Sequence, residues 1–426
     1  MKQRPGQLGL LLSAVLLAAC GPAREPAADP DLAAEIQKIR AIDNHAHPVR
    51  YTAPGEAPDR EFDALPVDNM EPQSDPVALR PGSPALAEAS RALFGAQSKA
   101  QVIAQKGNQY PAWVLDQIGV ETMLANRVAM GASIEPGRFR WVPYADALLF
   151  PLDNSRLAAR NSDRKSFFAL EDKLRARYFA EAGLSAAPPT LAEYLTRVVT
   201  PTLERHRKGG AVAEKFEAAY LRSLSFDAVD RPVAERAYLS RSVLGEAEYK
   251  PLQDYLFRYI AAECGRLGMA VHFHTMAGSG RYFDVAGANP LNLESLLDDP
   301  SLRQTNFVMV HGGWPFTREI GALLTKPNAY LDFSSQDQML PPAALAASIR
   351  EWLEYVPEKV MFGTDAYPFS AEAGWEESGW IAARNGRQAL AIALTGMMHD
   401  GEITRQRAIE LARMVLRDNA RKLYGL

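Results

Sequence analysis

Five of the seven histidines in this 426-residue chain stand in three short apolar runs, each at or near the C-terminal end of its run. His45 and His47 close Ala41-Ile42-Asp43-Asn44-His45-Ala46-His47, and His272 and His274 close Met269-Ala270-Val271-His272-Phe273-His274. His311 ends Phe307-Val308-Met309-Val310-His311. Residues two apart on a strand share a face, so each histidine pair would project from one side of its run. The same alternation turns Val271 and Phe273 outward, and Val308 and Val310 outward with His311 inward. In Val360-Met361-Phe362-Gly363-Thr364-Asp365 it turns Val360 and Phe362 outward and Asp365 inward. Any one of these histidines alone would read as a core residue. Together, at the inward ends of several strands, they read as a divalent-metal centre. Imidazole nitrogen with carboxylate oxygen suits zinc, or else manganese, iron or cobalt, and the lack of thiolates argues against a purely structural zinc site.

The order His-x-His, a later strand-end His, a His-Gly-Gly and finally Gly-Thr-Asp resembles the amidohydrolase superfamily, specifically its "amidohydrolase 2" branch related to aminocarboxymuconate semialdehyde decarboxylase. The resemblance covers residues 39 to 425, with strong motifs only at those runs. It implies that His45, His47, His274 and Asp365 ligate metal and that His311 binds metal or substrate. His272, one pleat deeper, would either join the site or support it. Lys215 and Glu217 share the inward face of the run 211–217. In binuclear relatives a lysine here is carboxylated and bridges two metals, which would raise the expected content from one zinc ion to two. Lys215 could equally bind substrate, support the site or form a structural pair with Glu217.

The chemistry expected of such a centre is hydrolysis of an amide, ester or lactone by a metal-activated water. Asp365 would be the general base, and His311 or His272 would steady the developing oxyanion. Asn126, Arg127, Tyr144, Tyr220 and Arg222 follow strands and are candidates to face the substrate. An arginine fork there would suit a carboxylate on that small molecule, and the bland alternative is a surface ion pair. The competing functions are a metal-dependent decarboxylase and a non-catalytic ligand-binding lipoprotein. His206 and His399 lack strand context and are expected to be solvent exposed. Gly312-Gly313 and Gly278-Ser279-Gly280 read as turns without the lysine-bearing spacing of a phosphate loop, so no nucleotide is assigned.

Positioning these groups takes eight apolar runs, near 39–45, 119–125, 138–144, 211–217, 269–274, 306–311, 328–333 and 359–365. Helical patterns at 250–267, 316–325 and 342–355 alternate with them, and a helix near 403–423 closes the chain. Alternating strand and helix predicts a parallel sheet, and eight such units an α/β (β/α)8 barrel. A minimal barrel needs roughly 250 residues. The stretches 48–110 and 147–205 are therefore read as insertions capping the pocket after strand one and between strands three and four.

Composition is ordinary for a globular chain, 47% hydrophobic and 23% charged, and the formal net charge of −4 offers no basic surface for nucleic acid. Lys2 and Arg4 precede the apolar run Leu8 to Leu17, the pattern of an export signal too short to span a bilayer. Leu17-Ala18-Ala19-Cys20 resembles the bacterial lipobox. The expected organisation is a leader at 1–19, a tether at 20–34 beginning at lipidated Cys20, and a catalytic domain at 35–426. The chain would then be exported and held by its lipid to a bilayer of the cell envelope, on the periplasmic side. Cys264, the second of two cysteines, reads as a buried structural thiol. Oligomeric state is left open, a homo-oligomer included.

Overall fold

The computed structural model describes residues 27–66, 75–160, 162–278 and 280–426. The expected leader and Cys20, part of the first insertion and Ser279 lie outside those residues. Eight parallel strands form at the anticipated places: β1 (Ala41–Ala46), β2 (Val120–Asn126), β3 (Phe139–Val142), β4 (Ala213–Phe216), β5 (Ala270–His274), β6 (Phe307–Val310), β7 (Ala329–Asp332) and β8 (Val360–Met361). They pair as one ladder of three, β1 to β3, and one of five, β4 to β8.

Two seams join the ladders into a barrel. At the first, Val212 N–H donates to the Trp141 carbonyl (3.0 Å), Lys215 N–H to that of Pro143 (2.7 Å) and Ala145 N–H to that of Lys215 (2.9 Å). At the second, Asn44 N–H donates to the Phe362 carbonyl (2.9 Å), Asp365 N–H to that of His45 (2.8 Å) and His47 N–H to that of Ala366 (2.8 Å). This second seam carries the chemistry, because it locks the ends of β1 and β8 together just where His45, His47 and Asp365 emerge. β8 itself is short because the chain beyond Met361 leaves β7 to follow β1.

Inside the barrel, Ile42, Leu124, Val142, Ala213, Ala270, Val308, Val310 and Met361 form a small apolar floor against Leu423, Tyr424 and Leu426 at the C-terminus. Outside, Val271, Phe273, Phe307, Met309, Val360 and Phe362 join the large core under the helices. Val308 and Val310 therefore point inward, against the expected alternation. His311 would then face outward, but its φ of 72° turns the chain at the strand end and returns the ring to the barrel mouth. A register shift between Asp43 and Ala46 does similar work in β1, where successive residues Asn44 and His45 both face the interior.

The anticipated helices appear as Glu246–Leu267, Thr317–Leu323 and Pro342–Tyr355, with Arg405–Arg413 and Asn419–Tyr424 flanking a π-turn near the end. The sequence pattern does not reveal the helix Trp375–His399. It is buried around most of its circumference, so it lacks the one-sided apolar stripe that marks a surface helix. Helix Pro30–Gln37 starts earlier than the expected domain boundary. The Asp29 carboxylate caps it through Leu32 N–H, and Leu32 and Ile36 are buried. Residues 30–34 are thus part of the folded body rather than tether. Among the described residues no helix is long and apolar enough to cross a membrane.

Candidate metal centre and its cavity

Three donor atoms meet at the mouth of the barrel. His45 Nε2 and His47 Nε2 are 3.3 Å apart, and Asp365 Oδ1 lies 3.3 Å from the first and 3.5 Å from the second. These are the one group of metal-ligating type among the described residues. Each ring is oriented to offer a lone pair. His47 Nδ1 donates to the Phe62 carbonyl (3.1 Å), which turns Nε2 toward the site. His45 Nε2 lies 3.4 Å from the Lys215 ammonium, a pure donor, so that nitrogen is an acceptor too. Burial, and after it the Lys215 charge, holds the His45 imidazole well below the usual histidine range, so the ring is neutral. Burial also pushes the Asp365 carboxyl up, opposed by His47 and Lys215. Asp365 has a φ of 52°, a left-handed conformation that costs roughly 1 kcal/mol or more and is kept where the surroundings fix it.

Two imidazole nitrogens and a carboxylate oxygen that converge within 3.5 Å of one another fit a divalent cation. Three protein ligands with an open side is the pattern of a catalytic rather than a structural site.

His274 is not drawn into that donor set. Its Nε2 donates to the Met276 carbonyl (2.9 Å) and its Nδ1 faces the Tyr220 hydroxyl (3.2 Å), so both nitrogens are engaged. His272 lies deeper still, with Nε2 on the Tyr424 hydroxyl (2.7 Å), away from the cavity. Burial and then Lys215 bring its pKa down to about 3, and its place outside the cavity lining makes it a buried support. His311 does reach the site: its ring packs 4.9 Å from that of His45, and Nδ1 lies 3.9 Å from Asp365 Oδ2.

Behind His311 stands a pair that strand patterns did not single out. The Ser334 hydroxyl donates to Asp332 Oδ1 (2.5 Å) and so accepts from His311 Nδ1 (2.9 Å). Asp332 also accepts the His311 backbone N–H (3.1 Å) and the Asn44 amide (2.5 Å). His311 is thereby held with Nδ1 protonated and its Nε2 lone pair free. Asp332 could have been found as the last residue of β7, but nothing in the sequence marks Ser334.

Above these groups opens a cavity of about 570 Å³ whose floor holds His45, His47, Lys215, His274, His311 and Asp365. Asp63, Asp75 and Pro76 reach it from the first insertion, Tyr220 and Glu217 from the end of β4, and Tyr282, Trp314, Tyr367 and Phe369 from later loops. No described residue of the second insertion lines it. Phe167 of that insertion backs the wall instead, packed edge-on to Tyr282 at 4.6 Å.

Of the expected substrate-facing groups only Tyr220 lines the cavity. Tyr144 is buried behind His47, its hydroxyl 3.2 Å from Nδ1. Asn126 donates to the Ala46 carbonyl (3.2 Å) and steadies β1. Arg127 is fully buried in a two-pronged pair with Asp59 at 2.9 and 3.0 Å, so it is neither a substrate clamp nor a surface ion pair. Arg222 pairs with Asp254 (2.6 Å) and borders a separate cavity. His206, expected in solvent, is buried, with Nδ1 2.9 Å from Glu214 Oε1. His399 is exposed as expected. Cys264 is fully buried, and burial pushes its thiol up.

The profile of the amidohydrolase family matches residues 197–426. A curated relative, Protein fluG of Emericella nidulans, is 27% identical over 280 residues, which is 62% of this chain and 29% of that protein. The chain thus spans under a third of the relative's length. Among solved structures, glucuronate isomerase from Caulobacter crescentus aligns with TM-score 0.61 and 13% identity over 95% of this chain and 96% of its own. A chain from Lactobacillus casei, described as a metal-dependent hydrolase, aligns with TM-score 0.54 and 17% identity over 92% and 97%. At such identities these two likenesses speak for the barrel fold.

Proposed function

The chain belongs to the amidohydrolase family of metal-dependent enzymes, and on that premise we propose that it hydrolyses an amide, ester or lactone bond of a small molecule. The observation that carries this is the donor set of His45, His47 and Asp365 at the floor of the cavity. These three residues would hold the metal, zinc by their chemistry, and a metal so held supplies a water of lowered pKa and polarises the carbonyl.

The residues themselves supply the proton handling. Asp365 lines the cavity, its second oxygen 3.9 Å from His311 Nδ1, and is placed to take the proton of the attacking water and return it to the leaving group. With Nδ1 tied to Ser334, His311 presents an accepting Nε2, so it serves as a second proton carrier rather than the oxyanion donor expected of it. Lys215, buried 3.4 Å from His45, is placed to steady the negative charge that develops at the carbonyl. With Arg127 and Arg222 committed elsewhere, the carboxylate expected on the substrate loses both groups that would have bound it.

The test is a screen of small amides, esters and lactones in oxygen-labelled water with metal-replete protein. Uptake of one labelled oxygen per turnover is the expected result. Release of CO2 without label uptake would instead make the protein a decarboxylase, a reading that a cavity poor in cations does not favour.

A further inference from the structure

The charge around the cavity is lopsided. Among the described residues four carboxylates line it, Asp63, Asp75, Glu217 and Asp365, against one cation, Lys215, and no arginine. Asp365 and Lys215 belong to the metal end, where each lies within 3.5 Å of His45 Nε2. Three carboxylates are left facing the space a substrate would fill. Glu217 is the telling one. It is 4% exposed, lines the cavity, and its Oε2 has no hydrogen-bond partner. A buried carboxyl oxygen with no partner is costly, and a ligand without a hydrogen-bond donor, or one bearing negative charge among these acids, would leave that cost in place. A ligand cation would remove it. The remaining wall is aromatic, with Tyr220, Tyr282, Trp314, Tyr367 and Phe369, and ring faces attract ammonium groups.

We propose that the substrate carries a positive charge: a small amide, ester or lactone bearing an ammonium group, seated against Asp63 and Glu217 within the aromatic wall. The inference rests on reading this cavity as the substrate site. It puts the scissile carbonyl at His45, His47 and Asp365 and the cationic end toward Glu217.

The test is equilibrium binding to the metal-replete protein of choline and of 3,3-dimethyl-1-butanol, which share a shape and a hydroxyl and differ in charge. Choline should bind about tenfold more tightly or better, and Glu217→Gln should shrink that preference about fivefold. Asp63→Asn should shrink it as well, and serves if the Glu217 variant fails to fold. Equal binding of the two compounds, no binding of either, or a preference untouched in both variants would overturn the proposal. The outcome is separable from the proposed hydrolysis. Choline preference in a protein that takes up no labelled oxygen would sink the hydrolase reading alone, whereas hydrolysis of neutral substrates without choline preference would sink only this one.

Discussion

Asp365 contacts both strand-one histidines, so its replacement can be made to separate metal holding from proton transfer. Asp365→Asn keeps shape and one ligating oxygen but cannot accept a proton. Much of the metal should remain while turnover falls by on the order of 10²-fold to 10⁴-fold. Full turnover in a metal-replete Asp365→Asn protein would exclude the aspartate as base and leave His311, with its Ser334–Asp332 support, as the candidate. His45→Ala and His47→Ala should behave differently. Each removes a nitrogen donor, so metal content and activity should fall together, which elemental analysis beside a rate assay would show. Lys215 decides the metal count. If it is carboxylated and bridging, the wild type carries two equivalents and Lys215→Ala one. The described residues offer a single three-residue donor set, for which one equivalent, unchanged by the substitution, is expected.

The end of β4 and the turn after β3 bring buried acids together, and their cost is readable in pH dependence. Asp146 and Glu217 come from those two elements, and Glu171 comes from the helix Ser162–Glu181 of the second insertion. Burial pushes Asp146 up from an ordinary 3.8 to about 7, and burial with mutual repulsion pushes Glu171 and Glu217 up as well. A carboxyl whose folded pKa is raised holds its proton better in the folded state. Its contribution is complete below about pH 4 and is lost as pH rises through about 7. Asp146→Asn still accepts the Glu217 N–H that Asp146 Oδ2 now accepts at 2.8 Å, and it cannot ionise. At constant metal content the variant should match the wild type near pH 4 and exceed it at pH 8 by roughly 1–3 kcal/mol, seen in urea midpoints. An identical pH profile would show that Asp146 is not the group responsible. This acid cluster was closed to sequence reading because its members are far apart in the chain and carry no periodic signal. The strands were legible because each is a short apolar run with a chemical group at its end, and His45, His47 and Asp365 followed from that. The side on which a terminal ring lies was not, since the positive φ of His311 and the shift in β1 override alternation. The two arginines misled for a related reason: a guanidinium after a strand reads alike whether it faces a ligand or, like Arg127, a buried Asp59.

At the scale of the whole molecule, the question is where a barrel with its mouth lined by loops does its work. The folded body begins by Pro30, and its C-terminus is tucked into the barrel floor through Tyr424, whose hydroxyl donates to Asn44 (2.5 Å). Attachment through the C-terminal end would pull on the floor beneath the metal centre, whereas attachment upstream of Pro30 would leave barrel and cavity undisturbed. We propose that the chain is exported and anchored by lipid on Cys20, as the basic start, the apolar run to Leu17 and Leu17-Ala18-Ala19-Cys20 suggest. The anchor would then be mechanically independent of the enzyme. Cys20→Ser should move the protein from the membrane fraction to the soluble fraction while metal content and specific activity stay within about twofold of the wild type, because among the described residues none of the site lies upstream of the barrel. One acyl chain holds a protein only marginally, so the wild type should resist salt washing and yield to detergent if Cys20 carries more than one. Intact-mass measurement counts those chains directly. A mature wild-type chain without added lipid, or a Cys20→Ser protein that still sediments with membranes, would refute the anchor and leave the barrel's chemistry as argued.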